Sequence, residues 1–192
     1  MSSAFLRWIC VNFAPCMKSS VVFEKNVVEF VTVAAEYCIF LEQISGKERV
    51  QATDVLLKLL PLLYLKALML PEEESDETVV LSESVTEQDY DAVRADVASL
   101  LGSDDDYLEV FSEEMKYSDV PVRKTVSEDL ADIYQPIKNF IESFRSGVNE
   151  IMTEAVVCCR EQFVSYWGQT LTNTLRALHS LRYSMQDSYD EV

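Results

Sequence analysis

The residue types that most often carry catalysis are scarce in this chain. Its 192 residues include one histidine, His179, which lies in the segment ALHSLRY. A Ser or Cys triad usually needs a histidine base, and no GxSxG or cysteine-protease pattern accompanies this one. A single histidine also excludes HExxH zinc sites and the paired ExxH motifs of di-metal bundles. We therefore assign no catalytic residue, and expect His179 to be hydrogen-bonded to Tyr183 or to a carboxylate.

The five cysteines do not form a recognisable framework; they are Cys10, Cys16, Cys38, Cys158 and Cys159. Their number is odd, the last two are adjacent, and no CxxC metal knuckle occurs. We expect Cys38 and one member of the adjacent pair to be small core residues of a protein in the reducing cytoplasm. A redox role for the pair is the alternative, although no neighbouring base is evident.

Clustered carboxylates could bind a hard cation. Asp104, Asp105 and Asp106 are consecutive, but they lack the spaced ligands, the glycine and the final glutamate of an EF-hand loop. They would bind calcium or magnesium weakly at most, and a solvated acidic cap on a following helix is the preferred interpretation. No P-loop or GxGxxG segment is present. The sequence thus predicts no metal site and no cofactor.

The strongest candidate for binding is the segment YWGQTLTNTLRALHSLRY, residues 166–183. Two aromatic side chains begin it, and basic side chains recur on its later turns. Such a set could hold an anion or the acidic groove of a partner. The candidate binding residues are Tyr166, Trp167, Arg176, His179 and Arg182. In the alternative interpretation Trp167 is a core residue, and the arginines balance the helix end or form ion pairs.

The net charge of −17 is concentrated in one quarter of the chain. Residues 1–71 carry +1, residues 72–119 carry −15, and residues 120–192 carry −3. This block repels phosphate backbones, so direct nucleic-acid binding through it is disfavoured. A basic protein surface is the partner it could attract. A plain solvated connector is the alternative.

Two apolar segments could be mistaken for membrane or targeting signals. Residues 1–16 hold a short apolar run broken by Asn12, unlike a secretory signal, and we expect a dispensable extension with Met17 as an alternative start. Residues 55–70 contain two lysines and Pro61, and are too short to span a bilayer. A buried helix, central in the core, fits them better.

Apolar residues at three- and four-residue steps predict helices along most of the chain. The predicted helices cover about residues 23–44, 48–70, 86–102, 127–147 and 149–183. Within 103–124 the spacing of Tyr107, Leu108, Phe111 and Met115 allows one more short helix. The predicted fold is an all-α antiparallel bundle of about five to six helices. Its single domain spans 17–183, contains an acidic linker at 72–85, and is followed by a flexible tail at 184–192.

Four segments together resemble a known family. NVVEFVTVAAEYCIFLE, LLKLLPLLYLKALMLPE, SEDLADIYQPIKNFI and YWGQTLTNTLRALHSLRY occur in that order. They resemble an uncharacterised all-helical domain family of Bacteroides-type bacteria, over residues 23–183. The resemblance implies a cytoplasmic single-domain protein, and it supplies no functional residues.

Three functions remain open from the sequence. The first is a non-catalytic interaction module whose acidic segment binds a basic protein, such as a nucleic-acid-processing enzyme. The second is a small-molecule-binding or metal-dependent enzyme with a pocket near Trp167, Arg176 and His179. The third is a structural homo-oligomer that completes its core in a second copy. We choose the first, with no membrane association.

Overall fold

The computed structural model describes residues 21–109 and 122–187, and helices dominate this part of the chain. Its α-helices are α1 (Lys25–Glu42), α2 (Arg49–Leu68), α3 (Glu87–Leu101), α4 (Val126–Phe144), α5 (Asn149–Gln162) and α6 (Gly168–Asp187). Two short strands, β1 (Asp106–Glu109) and β2 (Val122–Thr125), lie between α3 and α4. The predicted all-α bundle is confirmed, with one small two-stranded ribbon added. The predicted extension at 1–16 lies outside the described residues.

Local capping explains where the early helices begin. Gly46 turns the chain after α1 with a φ of 74°, a value that glycine adopts at little cost. The Glu48 carboxylate then accepts hydrogen bonds from the backbone N–H groups of Val50 and Gln51, at 3.0 and 2.8 Å. Thr86 and Asp89 form the reciprocal capping box that starts α3. These starts agree with those predicted from the sequence.

Helix α4 occupies the centre of the bundle and contacts α1, α3, α5 and α6. Its apolar side chains recur at helical spacing and are almost completely buried; they include Leu130, Ile133, Ile137, Ile141 and Phe144. The Tyr37 hydroxyl of α1 donates to the backbone carbonyl of Leu130 at 2.9 Å. The helix continues through Pro136.

Helix α2 is not central, contrary to the prediction. It packs on α1 and α6 with one face, which buries Leu56, Leu60 and Leu63. The opposite face leaves Leu62 and Leu65 exposed. The prediction was wrong because leucines on every side of a helix indicate only that the helix is apolar. They do not indicate how many neighbouring helices pack against it.

The region after α3 forms a ribbon, so the short helix considered for 103–124 is wrong at residues 106–109. Strands β1 and β2 pair antiparallel, with Asp106 opposite Thr125 and Glu109 opposite Val122. Phe111 and Met115 lie outside the described residues. A two-stranded ribbon is marginal alone, and this one is held by the helices beside it.

The three consecutive aspartates, Asp104, Asp105 and Asp106, form hydrogen bonds or ion pairs at the start of this ribbon. Asp105 is buried, and its carboxylate accepts from the Ser127 backbone N–H at 2.8 Å and from the Ser127 hydroxyl at 2.6 Å. Asp104 pairs with Arg49, and Asp106 with Arg123. The solvated acidic cap predicted on the helix after these aspartates is therefore wrong, because β1 follows them and Asp105 is a buried acceptor for the first turn of α4.

Helices α5 and α6 are joined by a π-helical turn, Phe163–Trp167, where a single long helix had been predicted. The Gly168 N–H donates to the Phe163 carbonyl, five residues earlier, as a π-turn requires. A side chain at position 168 would bring its Cβ to 2.6 Å from that carbonyl oxygen and 2.8 Å from the Phe163 ring. The glycine is needed for this close approach.

Substituting Gly168→Ala should therefore lower the free energy of unfolding by about 1–3 kcal/mol, as overpacking does. Helix propensity alone predicts the opposite sign, a gain of about 1 kcal/mol. Urea unfolding followed by circular dichroism measures the difference, and Ser180→Ala on the exposed side of α6 is the matched control. A stabilised alanine variant would show that the turn is not as tight as described.

None of the helices in the described ranges has the length and apolarity needed to cross a membrane.

Helix α6 continues to Asp187, four residues beyond its predicted end.

Candidate functional site

The acidic connection (residues 72–85) is fastened to the bundle at both ends. Near its start, the Glu154 carboxylate of α5 accepts from the Ser75 hydroxyl at 2.7 Å and from the Asp76 N–H at 2.8 Å. Near its end, the Asn139 amide oxygen of α4 accepts from the backbone N–H groups of Ser84 and Val85, at 2.8 and 3.0 Å. These bonds give an irregular segment a defined path over α4 and α5.

Along this connection and at the start of α3, the carboxylates point to solvent. The acidic surface comprises Glu73, Glu74, Glu77, Glu83 and Glu87, all exposed. Within the described part of the chain none of the five pairs with a basic side chain, whereas neighbouring Glu72 pairs with Arg160. Asp76, unlike these five residues, has hydrogen-bonded partners for its carboxylate: the Thr78 hydroxyl and N–H both donate to it. These hydrogen bonds lower the pKa of the Asp76 carboxyl. The connection that carries four of the five carboxylates is thus attached to the bundle, and all five lack an ion pair within the described residues.

The predicted aromatic binding residues lie in unlike surroundings. Trp167 is fully buried, its ring 4.7 Å from that of Phe163, and its indole N–H donates to the Cys159 carbonyl at 3.3 Å. Tyr166 is half-exposed, and its hydroxyl donates to Asp132 Oδ2 at 2.5 Å. Trp167 is therefore a core residue in this structure, as in the alternative interpretation.

The predicted basic binding residues are spread along α6. Arg176 donates to the Leu108 carbonyl at 3.1 Å, and Arg182 pairs with Asp54 of α2 at 2.7 Å. His179 is exposed, its ring centre 4.7 Å from that of Tyr183. The contact of His179 with Tyr183 is thus between the two rings, and the expected hydrogen bond stays a prediction. The structure does not bring Trp167, Arg176 and His179 into one cleft.

Two concave surfaces lie near residues that the sequence had singled out. A wide groove of about 500 Å³ between β1 and α6 is lined in part by Asp104, Asp106, Tyr107 and Arg176. A smaller cavity of about 180 Å³ lies under the acidic connection and is lined in part by Cys158 and Cys159. His179 and Trp167 line neither of them.

The three cysteine thiols in the described part of the chain are unsuited to nucleophilic chemistry. Cys38 and Cys159 are buried and Cys158 is half-buried, and all three are free. Burial raises the pKa of each of these thiols, so the reactive thiolate is disfavoured. The expected core role of Cys38 and of one adjacent cysteine agrees with this burial.

A cluster of carboxylates and tyrosines at the π-turn was missed by sequence reasoning. Asp132 of α4 accepts from two phenols, Tyr90 Oη at 2.8 Å on Oδ1 and Tyr166 Oη at 2.5 Å on Oδ2. Burial, and then the bond to Asp132, raise the pKa of both tyrosines. Both phenols therefore stay protonated and act as hydrogen-bond donors.

One turn earlier, Asp129 is almost completely buried. It accepts from the Tyr107 hydroxyl at 2.5 Å, and the Thr174 hydroxyl lies 3.2 Å from the same oxygen. Burial raises the pKa of Asp129 to about 6, and the hydrogen bond from Tyr107 and the charge of Lys124 oppose this shift. Desolvation is the largest cause, because the ionised carboxylate loses water that two hydroxyls replace only in part.

The third carboxylate of the cluster, Glu109, ends β1 and is also buried. It accepts from the Asn173 amide at 2.5 Å and pairs with Lys124 of β2 at 3.1 Å. The cluster thus ties the ribbon to α4 and α6. Its carboxylates accept hydrogen bonds from neighbouring side chains and line neither concave surface, so the arrangement positions structural elements.

Within residues 21–109 and 122–187, no group of three or more His, Cys, Asp or Glu side chains is arranged to hold a metal ion.

Comparisons with known proteins agree with this picture of a helical domain without assigned chemistry. A crystal structure of protein BF1032 from Bacteroides fragilis is similar to this chain, with 48% sequence identity and a TM-score of 0.76. The match covers 85% of this chain and 99% of that one. No curated protein matches. The model of a family described as a domain of unknown function, DUF5063, matches residues 21–184. The resemblance inferred from the helical segments is confirmed, and the chain belongs to the DUF5063 family.

Proposed function

We propose that the protein is a non-catalytic interaction module whose acidic surface binds a basic protein partner. The observation that carries the proposal is the arrangement of five exposed carboxylates: Glu73, Glu74, Glu77 and Glu83 lie on the hydrogen-bonded connection, and Glu87 begins α3 directly after it. Because Glu154 and Asn139 already fix this connection, a partner does not have to order it. Binding to a pre-ordered segment costs less conformational entropy.

The charge pattern determines the kind of partner. Single exposed ion pairs contribute about 0–1 kcal/mol each, so affinity would come from several carboxylates acting together. Their summed potential would speed the encounter with a basic surface and repel nucleic-acid phosphates. The partner is therefore a protein with a lysine- or arginine-rich surface, for which a nucleic-acid-processing enzyme is one example.

One further observation supports the proposed function, and another concerns the location of the protein. The pocket considered near Trp167, Arg176 and His179 loses its basis when Trp167 lies in the core and His179 faces solvent. The free thiols of Cys38, Cys158 and Cys159 favour a reducing compartment, which supports a cytoplasmic location.

The test compares two variants of equal net charge. The first, Glu73→Gln with Glu74→Gln and Glu77→Gln, removes three carboxylates of the acidic surface. The control, Glu36→Gln with Glu150→Gln and Glu161→Gln, removes three exposed carboxylates elsewhere. Each immobilised full-length chain is incubated with lysate of the native cells at about 0.15 M salt, and captured proteins are quantified by mass spectrometry. We expect a basic protein whose capture falls about tenfold for the first variant and is unchanged for the control.

The capture should also depend on salt, because exposed charges are screened at about 1 M ionic strength. A partner that both variants bind equally, or that stays bound at high salt, would show that the acidic surface is not the binding surface. Absence of any basic partner at low salt would contradict the proposal altogether.

A further inference from the structure

The groove between β1 and α6, about 500 Å³ in volume, has the size that proteins use for small ligands. Its lining is mixed: Ala177 and Leu181 supply apolar side chains, and Ser103 and Ser180 supply hydroxyls. Leu108 of β1, which is 57% exposed, also lines the groove. None of the lining residues belongs to the acidic surface, so binding in this groove is separate from binding of a basic protein.

The pairing of the two strands leaves one edge of β1 directed away from β2. The Val126 N–H donates to the Asp105 carbonyl at 2.9 Å, immediately before the ribbon. In an antiparallel pair, residues that exchange backbone hydrogen bonds with the opposite strand alternate with residues whose N–H and C=O groups point outward. Counted from Asp105, Leu108 is one of the outward-pointing residues. The ribbon therefore does not use its N–H group.

Arg176 of α6 meets this outward edge. One of its guanidinium nitrogens donates to the Leu108 carbonyl at 3.1 Å, which agrees with the alternation along β1. The Leu108 N–H points to the same side of the strand as this carbonyl. A guanidinium has five N–H donors, and the bond to Leu108 uses one of them. Across residues 21–109 and 122–187, neither a carboxylate for Arg176 nor an acceptor for the Leu108 N–H is present.

The two carboxylates that line the groove do not neutralise Arg176, because each has another partner. Asp104 pairs with Arg49, and Asp106 pairs with Arg123. The hydrogen bond from Arg123 lowers the pKa of the Asp106 carboxyl, so this ion pair persists at neutral pH. The groove thus combines two ion pairs with one guanidinium that lacks a carboxylate. Its local charge is positive, although the net charge of the chain is −17.

We propose that this groove binds a small monocarboxylate, whose carboxylate accepts hydrogen bonds from the Arg176 guanidinium and the Leu108 N–H. Bonds between a guanidinium and a carboxylate are charge-assisted, and they are about twice as strong as bonds between neutral groups. The apolar part of the ligand covers Ala177 and Leu181. A second carboxylate on the ligand would be repelled by Asp104 and Asp106, so the site should prefer one negative charge to two.

Nuclear magnetic resonance of the isotope-labelled full chain tests the site, with hexanoate as the probe. We expect the backbone amide signal of Leu108 to shift saturably, with a dissociation constant of about 0.5–5 mM, since the ion pair is partly exposed to water. Two compounds of the same chain length serve as controls. Hexanamide lacks the charge and adipate carries a second carboxylate, and each should bind at least about fivefold more weakly.

A substitution beside Arg176 tests the contact without removing the guanidinium. Ser180→Glu places a carboxylate four residues after Arg176, the spacing at which opposite charges pair along a helix. This carboxylate should compete with hexanoate for Arg176 and repel it, and so weaken its binding about three- to fivefold. Ser180→Gln has a similar size without the charge and is the matched control. It should bind hexanoate like the natural chain.

Removal of the guanidinium is the stronger change. Arg176→Gln should weaken hexanoate binding about tenfold, the effect of losing a hydrogen bond to a charged group. Arg145→Gln removes an exposed arginine that pairs with Glu142, and should leave the binding unchanged. The two Ser180 variants keep the test decisive if loss of Arg176 disturbs β1.

Three results would overturn the proposal. Equal binding of hexanoate and hexanamide would show that the carboxylate is not recognised. Equal binding by Ser180→Glu and Ser180→Gln, or unchanged binding by Arg176→Gln, would show that Arg176 does not hold the ligand. A Leu108 signal that does not shift saturably up to about 50 mM hexanoate would show that the groove is not a carboxylate site.

Discussion

Replacement of Trp167 by alanine is expected to lower the free energy of unfolding by about 3–5 kcal/mol, the usual cost of truncating a buried aromatic side chain. Trp167 is fully buried, stacks edge-on against Phe163 and donates to the Cys159 carbonyl. Truncation leaves a cavity between the π-turn and the core and removes the indole donor from that carbonyl, which keeps the Phe163 N–H. Urea unfolding followed by circular dichroism gives the free energy directly.

Two neighbouring substitutions serve as controls for this measurement. Val164→Ala lies in the same turn on an exposed side chain, and should stay within about 0.5 kcal/mol of the natural protein. Tyr166→Phe removes one bond to Asp132 without leaving a large cavity, and should cost about 0.5–1.5 kcal/mol. If the Trp167 variant lost less than about 1 kcal/mol, the indole would not fill the core, and its assignment as a binding residue would regain support.

The second large effect concerns pH. The pKa of Asp129 is raised from 3.8 to about 6 in the folded protein. Between these values the folded chain binds more protons than the unfolded chain, so the stabilising contribution of protonated Asp129 is full below about pH 4 and is lost as pH rises through about 6. The shift of about two units corresponds to about 3 kcal/mol. Asp129→Asn stays neutral and should lack this loss.

The measurement is the free energy of unfolding of both proteins at several pH values from about 4 to 8. The chain has many other carboxylates, so the difference between the two proteins is the informative quantity. That difference should move in favour of the asparagine variant by up to about 3 kcal/mol across the range. Glu161→Gln, an exposed carboxylate of the π-turn region, controls for the general effect of removing a charge. Parallel pH profiles for Asp129→Asn and the natural protein would contradict the assigned environment.

Local signals in the sequence were sufficient for most of the helices. Thr86 and Asp89 specify the start of α3, and the apolar spacing from Leu130 to Phe144 specifies the buried face of α4. Each of these signals lies within one helix, so no knowledge of neighbouring elements is required.

The features that the sequence did not reveal depend on contacts between distant segments. Residues 106–109 form a strand because Glu109 bonds Asn173 and Lys124, and because Asp105 holds the start of α4. The donors that surround Asp129 come from β1 and α6, far along the chain. No pattern within residues 126–144 indicates that the carboxylate of Asp129 is buried. Likewise, the leucine pattern of α2 does not indicate which of these side chains a neighbouring helix covers.

The π-turn has a consequence for the last helix. It contains one residue more than a regular α-helical turn of the same length. The side chains that follow it are therefore rotated about the helix axis. Asn173 reaches Glu109 of β1 and Thr174 reaches Asp129 of α4 from the rotation about the helix axis that this turn sets. The rotation of α6 about its own axis, which determines which of its side chains face the carboxylates, is therefore set at residues 163–167, before α6 begins. Gly168 closes the turn and permits this geometry.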